Sequence, residues 1–222
     1  MKFARYTLAI ALLPFFMTGQ QTTPSATPRN GRTTVTRPSV KPMSIQDAEH
    51  AGLVRTSYRD PNGSSSGDSV LLVVVKTGGP DRLVLTIPTG LLLNNPLPNS
   101  QNMIIAGLKG RDLGGGKYTP TSTITLTDHR PARYLIAAYC ADFHKENPPA
   151  DAFDFNLGTT VDPGMICVLN DARTERLSIA GTQAAVWIYS EHVTFSEMNA
   201  KMPIELTEWS RAAAVASRCA SK

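Results

Sequence analysis

The sequence predicts a mainly β protein with α: an antiparallel, Ig-like β-sandwich followed by a small C-terminal helical cap. Three observations predict it. Short runs rich in Val, Ile, Leu and Thr recur between Asp68 and Cys140, each bounded by turn formers. No helical pattern separates them, which favours an antiparallel sandwich over alternating strands and helices. After Pro148-Pro149 the apolar spacing changes to a helical one.

The chain opens MKFARYTLAIALLPFFMTGQQ. Lys2 and Arg5 precede an apolar run from Tyr6 to Met17, the order of a secretory signal peptide and too short for a spanning helix. Residues 1–19 are assigned to that leader. Residues 20–43 are Thr, Pro, Ser and Arg with almost nothing apolar, so burial cannot offset ordering entropy, and they are assigned to a disordered linker. The net charge is +4, but the first 43 residues carry six cations (Lys2, Arg5, Arg29, Arg32, Arg37, Lys41) and no acid. The remainder, 44–222, has a net charge of −2, which argues against a nucleic-acid surface.

Residues 44–149 are assigned to the sandwich. Its strands read SVLLVVVK, RLVLTI, NMIIAG, TSTITLT and RYLIAAYC, with turns at Thr77–Asp81, Asn94–Pro96 and Gly114–Gly116. In the last strand Tyr134, Ile136 and Ala138 share one face and Leu135, Ala137 and Tyr139 the other. Both faces are partly apolar, which predicts a central strand. Residues 150–222 are assigned to the cap. Asp162-Pro163 predicts a helix start, and TQAAVWIYSEHV predicts a helix with Thr182 as its cap and Trp187 in the core. Thr194 with Glu197 forms a capping box closed by Pro203, and Thr207 predicts the start of an Ala-rich helix to Cys219.

Several chemistries are absent from the sequence. Gly114-Gly115-Gly116 is followed by no Lys-Ser/Thr pair and opens no helix, so it is a turn and not a phosphate loop. There is no paired CxxC and no HExxH. The four histidines are scattered, and nothing in their spacing supports a hydrolytic triad.

Three cysteines remain in a chain predicted to be exported: Cys140, Cys167 and Cys219. An odd count implies one pair and one leftover, or an unusual use of a thiol. One reading is a Cys140–Cys219 disulfide that staples the last helix to the sandwich and leaves Cys167 as a small buried hydrophobe. A second comes from a resemblance. Tyr139-Cys140-Ala141-Asp142 and Thr182-Gln183-Ala184-Ala185-Val186-Trp187 resemble the two signature segments of bacterial surface thioester domains. The resemblance implies that Cys140 is the thiol and Gln183 the acyl donor of an internal thioester. Such an activated acyl group persists only where water is excluded. A third reading is a copper-type site, with Cys140 and His144 four residues apart and His129 or His192 completing the set.

Together these features predict an exported protein of the periplasm, cell envelope or cell surface. It acts as a structural or interaction module rather than an enzyme, with no resident cofactor unless copper binds. Envelope proteins or surface polymers are the expected partners, and no transmembrane segment is expected in the mature chain. The alternatives are a covalent thioester adhesin and a copper-binding redox protein.

Overall fold

The computed structural model describes residues 41–61, 70–150 and 154–221. The described residues all belong to one compact unit, residues 39–222. The leader at 1–19 and the linker up to residue 40 lie outside the described residues. Met43, assigned to the linker from sequence, already pairs with Leu85, so the folded chain starts inside that segment.

The chain opens with β1 (Met43–Ser44) and α1 (Ile45–His50). The Ser44 hydroxyl caps α1 by accepting from the Asp47 N–H. Eight strands follow before the next helix among the described residues up to Cys140: β2 (Val54–Arg59), β3 (Val70–Lys76), β4 (Leu83–Thr86), β5 (Leu91–Asn94), β6 (Met103–Gly114), β7 (Lys117–Pro120), β8 (Ile124–Leu126) and β9 (Ala132–Cys140). After a loop come β10 (Asn156–Thr160) and four helices, α2 (Pro163–Thr174), α3 (Ile179–Glu191), α4 (Phe195–Lys201) and α5 (Leu206–Ala220). No helix among the described residues is long and apolar enough to cross a membrane.

The strands form two unequal sheets. The smaller has the order β1-β4-β8, with β1 and β4 parallel. The larger is antiparallel with the order β10-β5-β6-β9-β3-β2, and β7 pairs with β6 beside that path. Its two ends approach each other: the Phe155 N–H, one residue before β10, donates to the Tyr58 carbonyl of β2 at 2.8 Å. The protein is therefore mainly β with C-terminal helices, as expected, but the larger sheet is nearly closed and barrel-like rather than clearly one leaf of an Ig-like sandwich. The physical reason lies in β6. It is 12 residues long and its register with β9 shifts twice, at Ile105/Gly107 and at Leu108/Gly110. Such bulges bend a strand and raise its twist, which curls the sheet toward closure. β10 also joins the large sheet although it lies beyond the expected boundary at residue 150.

β9 is central, between β6 and β3. Tyr134, Ile136 and Ala138 are buried on one face and Leu135 and Tyr139 on the other, matching the two-sided apolar pattern. The helices follow the sequence signals with two exceptions. Asp162 caps α2 with Pro163 in its first turn, and Thr194 and Glu197 form the capping box of α4. α3, however, begins at Ile179 on a Ser178 cap, so Thr182 lies one turn inside it. α5 starts at Leu206 behind Glu205, which makes no side-chain cap, and Thr207 lies within the helix.

Candidate functional site

The expected Cys140–Cys219 disulfide does not form. Cys219 near the end of α5 is bonded to Cys167 of α2, with Cα atoms 5.6 Å apart, and Cys140 lies outside that disulfide, fully buried. The reason is helix packing. α2 and α5 lie side by side, so Cys167 on α2 meets Cys219, while Cys140 ends β9 beneath α3. The bond still staples the C-terminus, but to another helix of the cap.

What Cys140 meets is Gln183. Its N–H donates to Gln183 Oε1 at 2.9 Å, and Gln183 Nε2 donates back to the Cys140 carbonyl at 2.8 Å. Both residues are completely buried. The geometry follows from sheet order. β6 pairs with β9 as far as Cys140, but β3 pairs with it only to Ile136 among the described residues. Past that point the β3-side edge of β9 exposes backbone groups that need partners. The primary amide of Gln183, shaped like a peptide group, supplies them across a sequence separation of 43. α3 can lie there because Gly181 to Trp187 are all buried, a run apolar enough to sit between the sheet and the other helices.

The loop after β9 closes over this end of the strand. The Asn102 N–H donates to the Asp142 carboxylate at 2.9 Å, and the Phe143 N–H donates to Glu191 Oε1 at 2.6 Å. Lys201 Nζ donates to the Phe143 carbonyl and to the Lys145 carbonyl, the latter at 2.9 Å. The same ammonium stands 4.9 Å from the Phe143 ring centre and 5.4 Å from that of Trp187, within cation–π range. The Phe143 and Trp187 rings meet edge to face at 5.0 Å. Trp187 is one turn beyond Gln183 and buried, and its Nε1–H has no acceptor among the described residues.

This environment suppresses thiolate formation at Cys140. Burial pushes the thiol well above the ordinary range, and Asp60 adds to the rise; Lys201 opposes it and Asp142 reinforces it. Burial in turn lowers the Lys201 ammonium, against the pull of Cys140 and Glu191. Cys140 thus favours its thiol form, and the Gln183 amide is held on its backbone in a fully buried site.

The copper-type set does not assemble. His129 Nδ1 lies 2.8 Å from the Lys76 carbonyl, His144 Nε2 lies 3.5 Å from Glu191 Oε2, and His192 caps α3 in a left-handed conformation. Among the described residues the one group of at least three ligand atoms close enough to share an ion is Cys167, Asp171 and Cys219, and its two sulfurs are bonded to each other. Sequence reasoning missed Lys201 and Glu191, because their contacts with the Cys140 loop cross about 50 residues or more and leave no local pattern. The chain matches no protein-family model, no curated protein and no solved structure.

Proposed function

We propose that the chain is an exported envelope or surface protein that captures a nucleophile of a partner covalently, through a thioester between Cys140 and Gln183. One observation carries the reading: the Gln183 amide is docked by both its ends on the backbone of Cys140 in a fully buried site. Docking of that kind supplies the proximity that converts a slow bimolecular acyl transfer into an intramolecular one. The Cys140 sulfur attacks the Gln183 amide carbon, the S–C bond forms, the C–N bond breaks, and the thiol proton leaves with the nitrogen as ammonia. A partner amine then attacks the thioester carbonyl. An amide bond to Gln183 forms, and the thiol of Cys140 is regenerated. Exclusion of water favours the thioester over hydrolysis, because bulk water is the competing nucleophile. The signal-like start of the chain supports export, and the β body with its helical cap serves as the scaffold, read as a sandwich-type support.

A purely structural role is the competing reading. It is favoured by the raised thiol pKa and by the fact that the same two hydrogen bonds satisfy a buried glutamine without any chemistry. Incubation with methylamine separates the two. A thioester yields one methylamide at Gln183 and one new thiol at Cys140, both located by peptide mass mapping, whereas the structural role leaves both side chains unchanged.

A further inference from the structure

A cavity of about 330 Å³ lies between β6, β9, α2 and α3, with neither Cys140 nor Gln183 in its lining. Tyr139 and Thr182, the residues immediately before Cys140 and Gln183, both line it. Three cations line it as well, Lys109 of β6, Arg173 of α2 and Arg176 of the turn after α2, and no acidic residue does. The acids of this part of α2 are engaged elsewhere: Asp171 lies 3.7 Å from the Arg218 guanidinium, and Glu175 also pairs with Arg218. Arg173 donates to Asn170 Oδ1, and neither Arg173 nor Arg176 has a carboxylate partner among the described residues. Leu169 and Leu177 give the rest of the wall an apolar character. The volume is at the small end for ligand pockets, and a few charged groups converging on an apolar recess is their usual composition.

Two backbone features border the cavity. Gly107, at the first register shift of β6, has φ +154°, and a Cβ added there would lie 3.6 Å from Arg173 Nη1. Arg176 is one of the two non-glycine residues with positive φ among the described residues, at 55°. It closes α2 where glycine is usual, with its own N–H on the Arg173 carbonyl and the Leu177 N–H on the Ala172 carbonyl. A residue kept in a costly conformation that glycine would adopt freely points to a use for its side chain.

We infer that this cavity binds the carboxylate of a small amine-bearing ligand and so presents the amine to the Cys140–Gln183 centre. Two guanidiniums without carboxylate partners suit a planar carboxylate, which they bind through paired charge-assisted hydrogen bonds. The presentation of the amine rests on the thioester reading; the binding of the carboxylate does not.

Two arms test the inference with separate outcomes, using 4-(aminomethyl)benzoate as the probe and benzylamine as its counterpart without the carboxylate. In the first, the full chain carrying Cys140→Ala is titrated with each compound by NMR at low salt. Saturable shifts with the carboxylate probe are expected, weakened by salt and lost when Arg173→Gln and Arg176→Gln are added, with benzylamine inert. No saturable shift, or equal shifts in the arginine variant, overturns the cavity as a carboxylate site. In the second arm the chain with Cys140 intact is incubated with each amine and adducts are followed by mass. The carboxylate probe should be captured about tenfold faster, the order expected from one charge-assisted contact pair, and the arginine variant should equalise the two rates. Equal rates in the parent protein overturn the presentation role. Absence of any adduct refutes the thioester reading itself, and the first arm alone then decides the cavity. Arg173 and Arg176 are exposed, and thermal melts of the variant confirm that it is folded.

Discussion

Gln183 spends both ends of its amide on the backbone of one residue, and this dependence is mutual. Removing the amide with Gln183→Ala strands the N–H and the carbonyl of Cys140 in a site with no access to water. Each unsatisfied buried group costs about 1–3 kcal/mol, so a loss of about 2–6 kcal/mol is expected in urea unfolding. Cys140→Ala leaves those backbone groups paired and should cost less, because only the sulfur is removed. An unchanged midpoint for Gln183→Ala would mean that the amide does not tie down the end of β9. The neutral state of the thiol does not contradict acyl transfer to its neighbour. It means that the proton must leave with the departing ammonia rather than be lost to solvent beforehand.

At the scale of elements, the cap is held by three devices that can be tested independently. The Cys167–Cys219 bond joins residues 52 apart, and closing a loop of that length is worth about 4 kcal/mol in the chain-entropy model. The double variant Cys167→Ala/Cys219→Ala should therefore melt on the order of 10 °C lower, a drop visible by calorimetry; an equal melting temperature would show that the staple adds nothing to the packing. Trp187 is fully buried, whereas Trp209 is half-buried against Phe195. Trp187→Ala should then cost about 3–5 kcal/mol and Trp209→Ala clearly less, an order that denaturant titrations of the two variants check directly.

The third device is the start of α2. Burial pulls the Asp162 carboxyl up, but hydrogen bonds from the Tyr189 hydroxyl and from the Met165 and Gly164 N–H groups outweigh it and hold it below its ordinary value. A carboxylate depressed in the fold stabilises it above the unfolded pKa, and that contribution is lost as pH falls through the folded value. Thermal stability should fall below about pH 4, and Asp162→Asn should flatten part of that decline relative to the parent. An identical acid limb in both proteins would exclude Asp162 as a contributor.

Much of this element-scale picture was legible in the sequence. The two-faced apolar run of β9, the Asp162 and Thr194 caps and the Gly114–Gly116 turn all follow local rules, and local rules suffice where one segment sets its own conformation. Thr182 lies inside α3 rather than capping it, because α3 is buried almost all round and its apolar spacing does not mark where it begins. β5, β7 and α1 are too short to carry a pattern of their own, and β10 depends on β5, a partner distant in sequence. The pairing of the cysteines failed for the same reason. Which thiol lies near Cys219 is set by how α2 packs on α5, and nothing within either helix records it.

At the scale of the whole molecule, the nearly closed sheet and the helical cap act together to bury one thiol and one amide at the end of a central strand. The docking of Gln183 on Cys140 brings together the two residues that the proposed thioester requires. The most direct test is the intact mass of the purified protein under denaturing, non-reducing conditions. With the disulfide removing about 2 Da and the loss of ammonia about 17 Da, the thioester account predicts a protein about 19 Da lighter than its sequence mass. The larger deficit should map to linked Cys140 and Gln183 peptides and vanish in Cys140→Ala. A deficit of only about 2 Da, with Cys140 alkylated in full once the protein is unfolded, would contradict it.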